Sequence, residues 1–230
     1  MSAYNPYAAP QTADPYAVAP GAYATPWQGE RYVPLGWRTV LAAAFLVFVV
    51  LAKLGMEASM MAMGDDPSLG AAAATGLSAL GVLGALVLAA IFFGVWIHRA
   101  SANLRGLRRD GLAFSPGGCV GWFYVPIANL WQPVRAMSEI WRASEPGGAG
   151  YEWTRARGSA WLGVWWGTWL LGNVIGEVSA LMTDDAASSG AVGLVSAVLT
   201  AVAAAALITL MVGIQRRQEQ AAQTADGRAA

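Results

Sequence analysis

Residues 69–109 read LGAAAATGLSALGVLGALVLAAIFFGVWIHRASANLRGLRR, and this stretch decides the fold. From Leu69 to Ile97 it contains no charged residue, and four arginines follow shortly afterwards. A bilayer core needs about 20 predominantly apolar residues in a helix, so this run is long enough to cross a membrane. Because arginines collect on the cytoplasmic side of membrane helices, they predict a cytoplasmic boundary just after Ile97.

The composition of the whole chain points the same way. Of its 230 residues, 56% are hydrophobic and 12% are charged, which is about half the charged fraction of a soluble protein. The 14 basic and 14 acidic residues balance, so the chain lacks the basic surplus of a nucleic-acid binder. With one cysteine, Cys119, and one histidine, His98, we expect no metal site and no cofactor. Sequence motifs of hydrolases, zinc proteases and nucleotide-binding loops are missing, so we expect no enzyme.

Four apolar windows predict membrane-spanning helices, at about residues 37–56, 69–97, 159–182 and 190–214. A fifth apolar stretch, at about 118–131, is too short to span and contains Pro126, which favours a re-entrant or interfacial segment. With four spans, eight arginines from Arg99 to Arg157 share one side with both chain ends. The two loops on the other side carry only acidic charges. This positive-inside pattern predicts that both termini are cytoplasmic.

We therefore predict an all-α integral membrane protein whose membrane domain covers residues 35–215. It is a four-span transmembrane helix bundle, with a cytoplasm-facing re-entrant or interfacial segment and an amphipathic helix between spans 2 and 3. Residues 1–34 are rich in proline, tyrosine and alanine, and we expect a disordered cytoplasmic tail. That tail is either a solvated linker, which we prefer, or a docking segment for a partner. Residues 216–230 are predicted to form a polar cytoplasmic tail.

The third span carries two pairs of glycines at four-residue spacing, Gly163 with Gly167 and Gly172 with Gly176. Glycines at this spacing let helices approach closely in lipid, so we expect this span to contact two neighbours. Two ionisable residues, Lys53 and Glu177, fall near the outer ends of their spans. They form a candidate intramembrane ion pair that could hold an ion or a proton. The alternative, which we prefer, is that Lys53 lies beside Glu57 and that Glu177 reaches the outer headgroups.

The region between spans 2 and 3 is the richest in unusual residues. Arginines continue the second helix as a basic surface that attracts anionic lipid. The segment that follows is rich in aromatic residues, and Pro133 suits the first turn of a new amphipathic helix. The candidate lipid or ligand site, or structural clamp, consists of Trp96, His98, Arg99, Asn103, Trp122, Pro126, Asn129, Trp131, Pro133, Glu139, Trp141 and Arg142.

These residues carry a resemblance to a known family. The pattern WxHRAxxNxRxL, followed by GWFYVPIANLWQPxxAMxEIWRAS and a third span that begins WLGVWW, resembles the bacterial membrane family described as domain of unknown function 4328. The resemblance covers about residues 37–214. It implies a multi-span protein of the bacterial cytoplasmic membrane and implies no reaction.

Two functions from different classes remain open. The preferred hypothesis is a non-enzymatic membrane adaptor or accessory subunit. It would offer a basic, tryptophan-rich cytoplasmic platform to anionic lipid headgroups or to a membrane or cytoplasmic protein partner, and not to nucleic acid. The alternative is a subunit of a transporter or channel that uses the broken central segment. Within the candidate site, a lipid-headgroup or small-ligand pocket and a structural clamp are both consistent with the residues.

Overall fold

A computed structural model describes residues 31–63, 68–147, 150–181 and 186–227. Two short 3-10 helices, Ala128–Leu130 and Glu152–Arg155, lie in the connections between longer helices. No β-strand occurs in these ranges, which confirms the all-helical prediction. The six α-helices are α1 (Gly36–Met63), α2 (Leu69–Gly106), α3 (Pro116–Gly121), α4 (Gln132–Ala143), α5 (Ala160–Leu181) and α6 (Ala186–Gly227).

The four long helices form a row in which α2 packs on α1, α1 packs on α6, and α6 packs on α5. Small side chains make these contacts close. Ala85 and Ala89 of α2 are buried against α1, and the Ser196 hydroxyl of α6 donates to the Gly172 carbonyl of α5 at 2.9 Å. Gly176 also lies against Ser196. One of the two predicted glycine contacts of α5 is therefore present.

The other glycine pair of α5 has no neighbour in the described chain. A Cβ atom added to Gly163 or Gly167 would meet nothing within 4 Å. The helix therefore has one long-helix neighbour, α6, along its length, where the sequence suggested two. The reason is the row itself, because α5 stands at its end.

Among the described residues, three helices are both long and apolar enough to cross a membrane. They cover Gly36–Met61, Ala72–Gly106 and Ala191–Thr224, with mean hydropathies of 2.3, 2.5 and 2.4 over their most apolar windows. Helix α5 has 22 residues but is not among them. Its four tryptophans, Asn173 and Glu177 lower its mean hydropathy. The outward faces of the row are mostly apolar, with Leu77 70% exposed and Val174 60% exposed, as expected for contact with lipid, although Asn173 and Glu177 of α5 are also exposed.

A folded layer covers one end of the row, and we call it the cap. It comprises residues 98–147 and 150–157, residues 31–34, which have no regular secondary structure, and residues 211–227 of α6. The cap contains α3 and α4, and α4 contacts α2, α5 and α6. Its apolar core is fully buried and continuous with that of the long helices; it includes Leu104, Cys119, Ala136, Met137, Ile140, Ala143, Met211 and Ile214.

The chain ends differ in part from the sequence-based picture. The predicted disorder of the N-terminal tail falls on residues 1–30, which lie outside the described residues. Residues 31–34 lie against α2 and have no regular secondary structure. Helix α6 continues without a break past Arg216 to Gly227, so most of the predicted polar tail is helical.

Candidate functional site

The amide side chain of Asn103 fixes the start of the described chain to α2. Its Oδ1 accepts from the Val33 backbone N–H at 3.0 Å, and its Nδ2 donates to the Val33 carbonyl at 2.8 Å. Asn103 is completely buried, so these bonds replace water that it cannot reach. The amide thus pairs with residue 33 much as a neighbouring β-strand would. We call residues 31–34 the strap.

Gln218 of α6 extends this network across the cap. Asn103 Nδ2 donates to Gln218 Oε1 at 2.9 Å, and Gln218 Nε2 donates to the Ala100 carbonyl at 2.9 Å and to Ser144 Oγ at 3.1 Å. Gln218 is also completely buried. One pair of amides therefore joins the strap, α2, α4 and α6. Sequence reasoning missed Gln218, because it lies in a run of polar residues (QRRQEQ) that reads as solvent-exposed.

Trp96 and Arg99 of α2 add hydrogen bonds next to this network, to α1 and to the strap. The buried Trp96 indole donates to the Thr39 hydroxyl of α1 at 3.0 Å. Arg99 Nε donates to Asn103 Oδ1 at 3.1 Å, and Arg99 Nη2 donates to the carbonyl of Arg31 at 2.8 Å. Arg99 and Asn103 thus both bind the strap.

Glu139 anchors the turn before α3. Its carboxylate accepts from the backbone N–H of Ala113 at 2.7 Å and of Phe114 at 3.2 Å. Burial raises the pKa of the Glu139 carboxyl, although these two hydrogen bonds and the nearby Arg105 act in the opposite direction. The residue therefore has a positioning role in which it orders the chain that enters α3.

Trp141 packs α4 onto α6. A Cβ atom on Gly213 would lie 2.7 Å from the Trp141 ring, so the absence of a side chain at this position makes the contact possible. The Arg217 guanidinium lies 4.0 Å from the centre of the same ring and forms an ion pair with Glu145. Pro133 lies in the first turn of α4, as predicted.

Arg109, in the connection after α2, also holds α4 in place within the cap. Sequence reasoning did not single it out. It is 6% exposed; its Nε donates to the Ala143 carbonyl at 2.8 Å and its Nη2 to the Glu145 carbonyl at 2.7 Å. The guanidinium thereby binds the carbonyls at the end of α4. Burial lowers the pKa of Arg109, and Glu152 partly offsets this. The only sign of this role in the sequence was that Arg109 is a basic residue close to the end of α2.

The segment 118–131 packs between α2 and α5. Phe123 meets Phe93 of α2 edge to face, with ring centres 5.5 Å apart. The Trp166 indole of α5 donates to the Leu130 carbonyl at 2.9 Å. Pro126 is exposed, Trp122 is half-buried, and Trp131 is 44% exposed.

The Asn129 side-chain oxygen is buried and has no hydrogen-bond partner among the described residues.

His98 and Arg142 are candidate residues with polar side chains that face outward. Both are exposed, and His98 makes no hydrogen bond within the described ranges. His98 borders a groove of about 440 Å³ between α2, the start of α1 and the segment after α3. Arg38 and Arg99 line its polar end, while Ile91, Val95 and Val120 line its apolar walls. The site thus separates into buried residues that act as a clamp and a groove that remains open.

Lys53 and Glu177 do not form an ion pair in the described chain. The Lys53 amine donates to the hydroxyls of Ser196 and Thr200 on α6, each at 3.3 Å, whereas Glu177 is exposed. Glu57, one turn after Lys53, is 7% exposed and lies against Gly193 of α6. The polar cluster of the membrane half therefore joins α1 to α6, and its acid is Glu57 rather than Glu177.

Chemically reactive groups are not gathered anywhere in the described ranges. No group of three His, Cys, Asp or Glu side chains there has the geometry for a metal ion. Cys119 is completely buried, so this thiol is a core residue in the folded protein.

This fold and this site define a class of protein. Its described residues are all-helical, include three membrane-capable helices, and form a cap with internal hydrogen bonds at one end of the row. The family described as domain of unknown function 4328 matches residues 63–219, and the chain belongs to this family. The match covers α2, α5, α6 up to residue 219, and the cap apart from residues 31–34 and the end of α6. Neither the curated proteins nor the solved structures contain a significant match.

Proposed function

We propose that the protein is a non-enzymatic membrane adaptor or accessory subunit. It lies in the bacterial cytoplasmic membrane with four spans, both termini and the cap in the cytoplasm, and the cap is its platform for anionic lipid and a protein partner. The observation that carries the proposal is that the cap has two kinds of polar side chain, buried ones with internal partners and exposed basic ones. Asn103, Gln218 and Arg109 are buried and bonded internally, whereas the exposed arginines of the cap are those at positions 31, 108, 135, 142, 155, 157 and 216.

The environment of α5 supports a fourth span. Gly172 and Gly176 lie against Ser196 of α6, and α6 is one of the membrane-capable helices. A helix that packs closely along a membrane-spanning neighbour occupies the same depth. Tryptophans at its first turns, such as the 48% exposed Trp161, suit the headgroup region.

The contacts of segment 118–131 support a shallow interfacial insertion. Val120 lies against Gly94, and Phe123 lies against Phe93, within the apolar part of α2. Tyr124 and Ile127, at its tip, are 68% and 72% exposed. Exposed aromatic and aliphatic residues beside exposed arginines are typical of a surface in contact with lipid headgroups.

The test neutralises only arginines that the structure shows to be exposed. The triple variant Arg108→Gln, Arg135→Gln, Arg142→Gln reduces the positive charge of the basic surface. It leaves the buried residues of the clamp unchanged. We expect loss of any stoichiometric protein partner and a reduced amount of co-purified anionic lipid, at unchanged membrane insertion and thermal stability. The matched control replaces the same three residues with lysine and is expected to retain both. Unchanged retention in the glutamine variant would contradict the adaptor proposal.

A second candidate, a transporter or channel subunit, is favoured by one observation. Lys53, Glu57, Ser196 and Thr200 form a polar cluster between two membrane-capable helices. This candidate predicts ion flux in proteoliposomes that is lost in Glu57→Gln and kept in Glu177→Gln. If neither proton nor monovalent-cation flux exceeds that of empty liposomes, the cluster is a structural contact between α1 and α6.

A further inference from the structure

We infer that the groove beside His98 is a binding site for one anionic glycerophospholipid. The phosphate would lie among Arg38, His98 and Arg99, with an acyl chain along the apolar walls of α2. The inference rests on the proposed function, because it requires the cap to lie at an anionic membrane surface.

The order of residues along α2 matches the order of groups in a phospholipid. His98 and Arg99 border the groove at its cap end, and Val95 and Ile91 follow one and two turns further into the apolar run. Val120 forms the opposite wall. A ligand that fits must therefore be anionic at the cap end and apolar towards the middle of α2. Charge complementarity selects a membrane lipid over an uncharged helix of a partner.

The two arginines are oriented by contacts within the chain itself. Arg99 is held by the carbonyl of Arg31 and by Asn103. Arg38 Nη1 donates to the carbonyl of Pro34 at 3.1 Å, and its guanidinium lies 4.5 Å from the centre of the Trp37 ring. Each guanidinium has five N–H donors, so both keep donors for phosphate oxygens. The strap thus supplies the carbonyls that orient both cations of the groove.

Lipid binding in the groove can be distinguished from the general attraction of anionic lipid to the basic surface of the cap. The exposed arginines at positions 108, 135 and 142 lie outside it, so they contribute long-range attraction without contacting this phosphate. His98, exposed and without an internal partner, is free to donate to the headgroup. A specific site is therefore expected to survive neutralisation of the other arginines.

The test is native mass spectrometry of the full chain in neutral detergent, titrated with palmitoyl-oleoyl phosphatidylglycerol or with the phosphatidylcholine of the same chains. We expect one tightly retained phosphatidylglycerol. The double variant Arg38→Gln, His98→Gln should weaken its binding about fivefold or more, as for loss of one charge contact at a headgroup. The control Arg108→Gln, Arg135→Gln should leave binding unchanged.

A second variant tests the acyl-chain wall without changing charge. Ile91→Trp with Val95→Trp, both at exposed positions, fills the groove and is expected to reduce phosphatidylglycerol binding while folding is preserved. Equal binding of phosphatidylcholine, equal losses in both arginine variants, or full competition by glycerol 3-phosphate would overturn the site. In those cases partner retention by the cap, measured separately, still decides the adaptor proposal.

Discussion

The cap and the row of long helices place their polar groups in opposite ways. In the cap, polar side chains are buried and bonded to backbone carbonyls or to each other, as Gln218 and Arg109 show. In the row, helices α1 and α6 share one polar cluster around Lys53, and the outward faces are mostly apolar. The difference teaches that the row is built for lipid on its sides, whereas the cap is held together by specific hydrogen bonds.

The largest effect on stability is expected from a substitution that breaks the hydrogen-bond network of the cap. Asn103→Leu removes the partner of Val33 and leaves Gln218 Oε1 buried without a donor. We expect a loss of about 3 kcal/mol in the free energy of unfolding, because each buried orphaned group costs about 1–3 kcal/mol. Thermal unfolding in detergent measures it. The matched control is Gln220→Leu, at an exposed position two residues after Gln218, and a comparable loss there would contradict the network.

A smaller effect compares two glycines in long helices. Gly213→Ala places a methyl group 2.7 Å from the Trp141 ring, whereas Gly163→Ala meets nothing within 4 Å. We expect Gly213→Ala to destabilise the protein by about 1–3 kcal/mol, the usual effect of overpacking. Gly163→Ala is expected to be neutral or slightly stabilising, because alanine favours the helix. If the two substitutions shift the unfolding midpoint equally, Trp141 does not fix α4 on α6.

The smallest effect concerns pH and Glu139. Its raised pKa means that the folded protein binds this proton more tightly than the unfolded chain does. The carboxyl therefore supports folding most at pH values below its ordinary pKa, and this support declines as pH rises through the raised pKa. We expect the unfolding midpoint of wild type minus that of Glu139→Gln to fall from about pH 4 to about pH 7. Glu152→Gln is the matched change at an exposed carboxyl of the cap. A difference that grows with pH would reverse the assignment.

Much of the fold follows from the sequence because long apolar runs and helix-breaking prolines are local signals. The helix after Ile97, the start of α4 at Pro133 and the glycine contact of α5 with α6 are all present. Partners across the fold are not local, so the sequence could not show that Asn103 binds Val33 or that Gln218 is buried. The same limit explains why the sequence left a Lys53–Glu177 pair open beside the preferred Lys53–Glu57 neighbourhood, and why it did not show Ser196 and Thr200 as the hydrogen-bond partners of Lys53.

The central claim is that the cap is a platform for anionic lipid and a partner, and native mass spectrometry tests it most directly. The full chain is extracted gently from its own membrane, and everything that remains bound is identified. The account predicts a stoichiometric protein partner together with several anionic lipids, and the triple variant Arg108→Gln, Arg135→Gln, Arg142→Gln is expected to lose the partner and every lipid except the one in the groove beside His98. A bare wild-type protein, or the same partner and the same number of lipids on that variant and on wild type, would contradict the account.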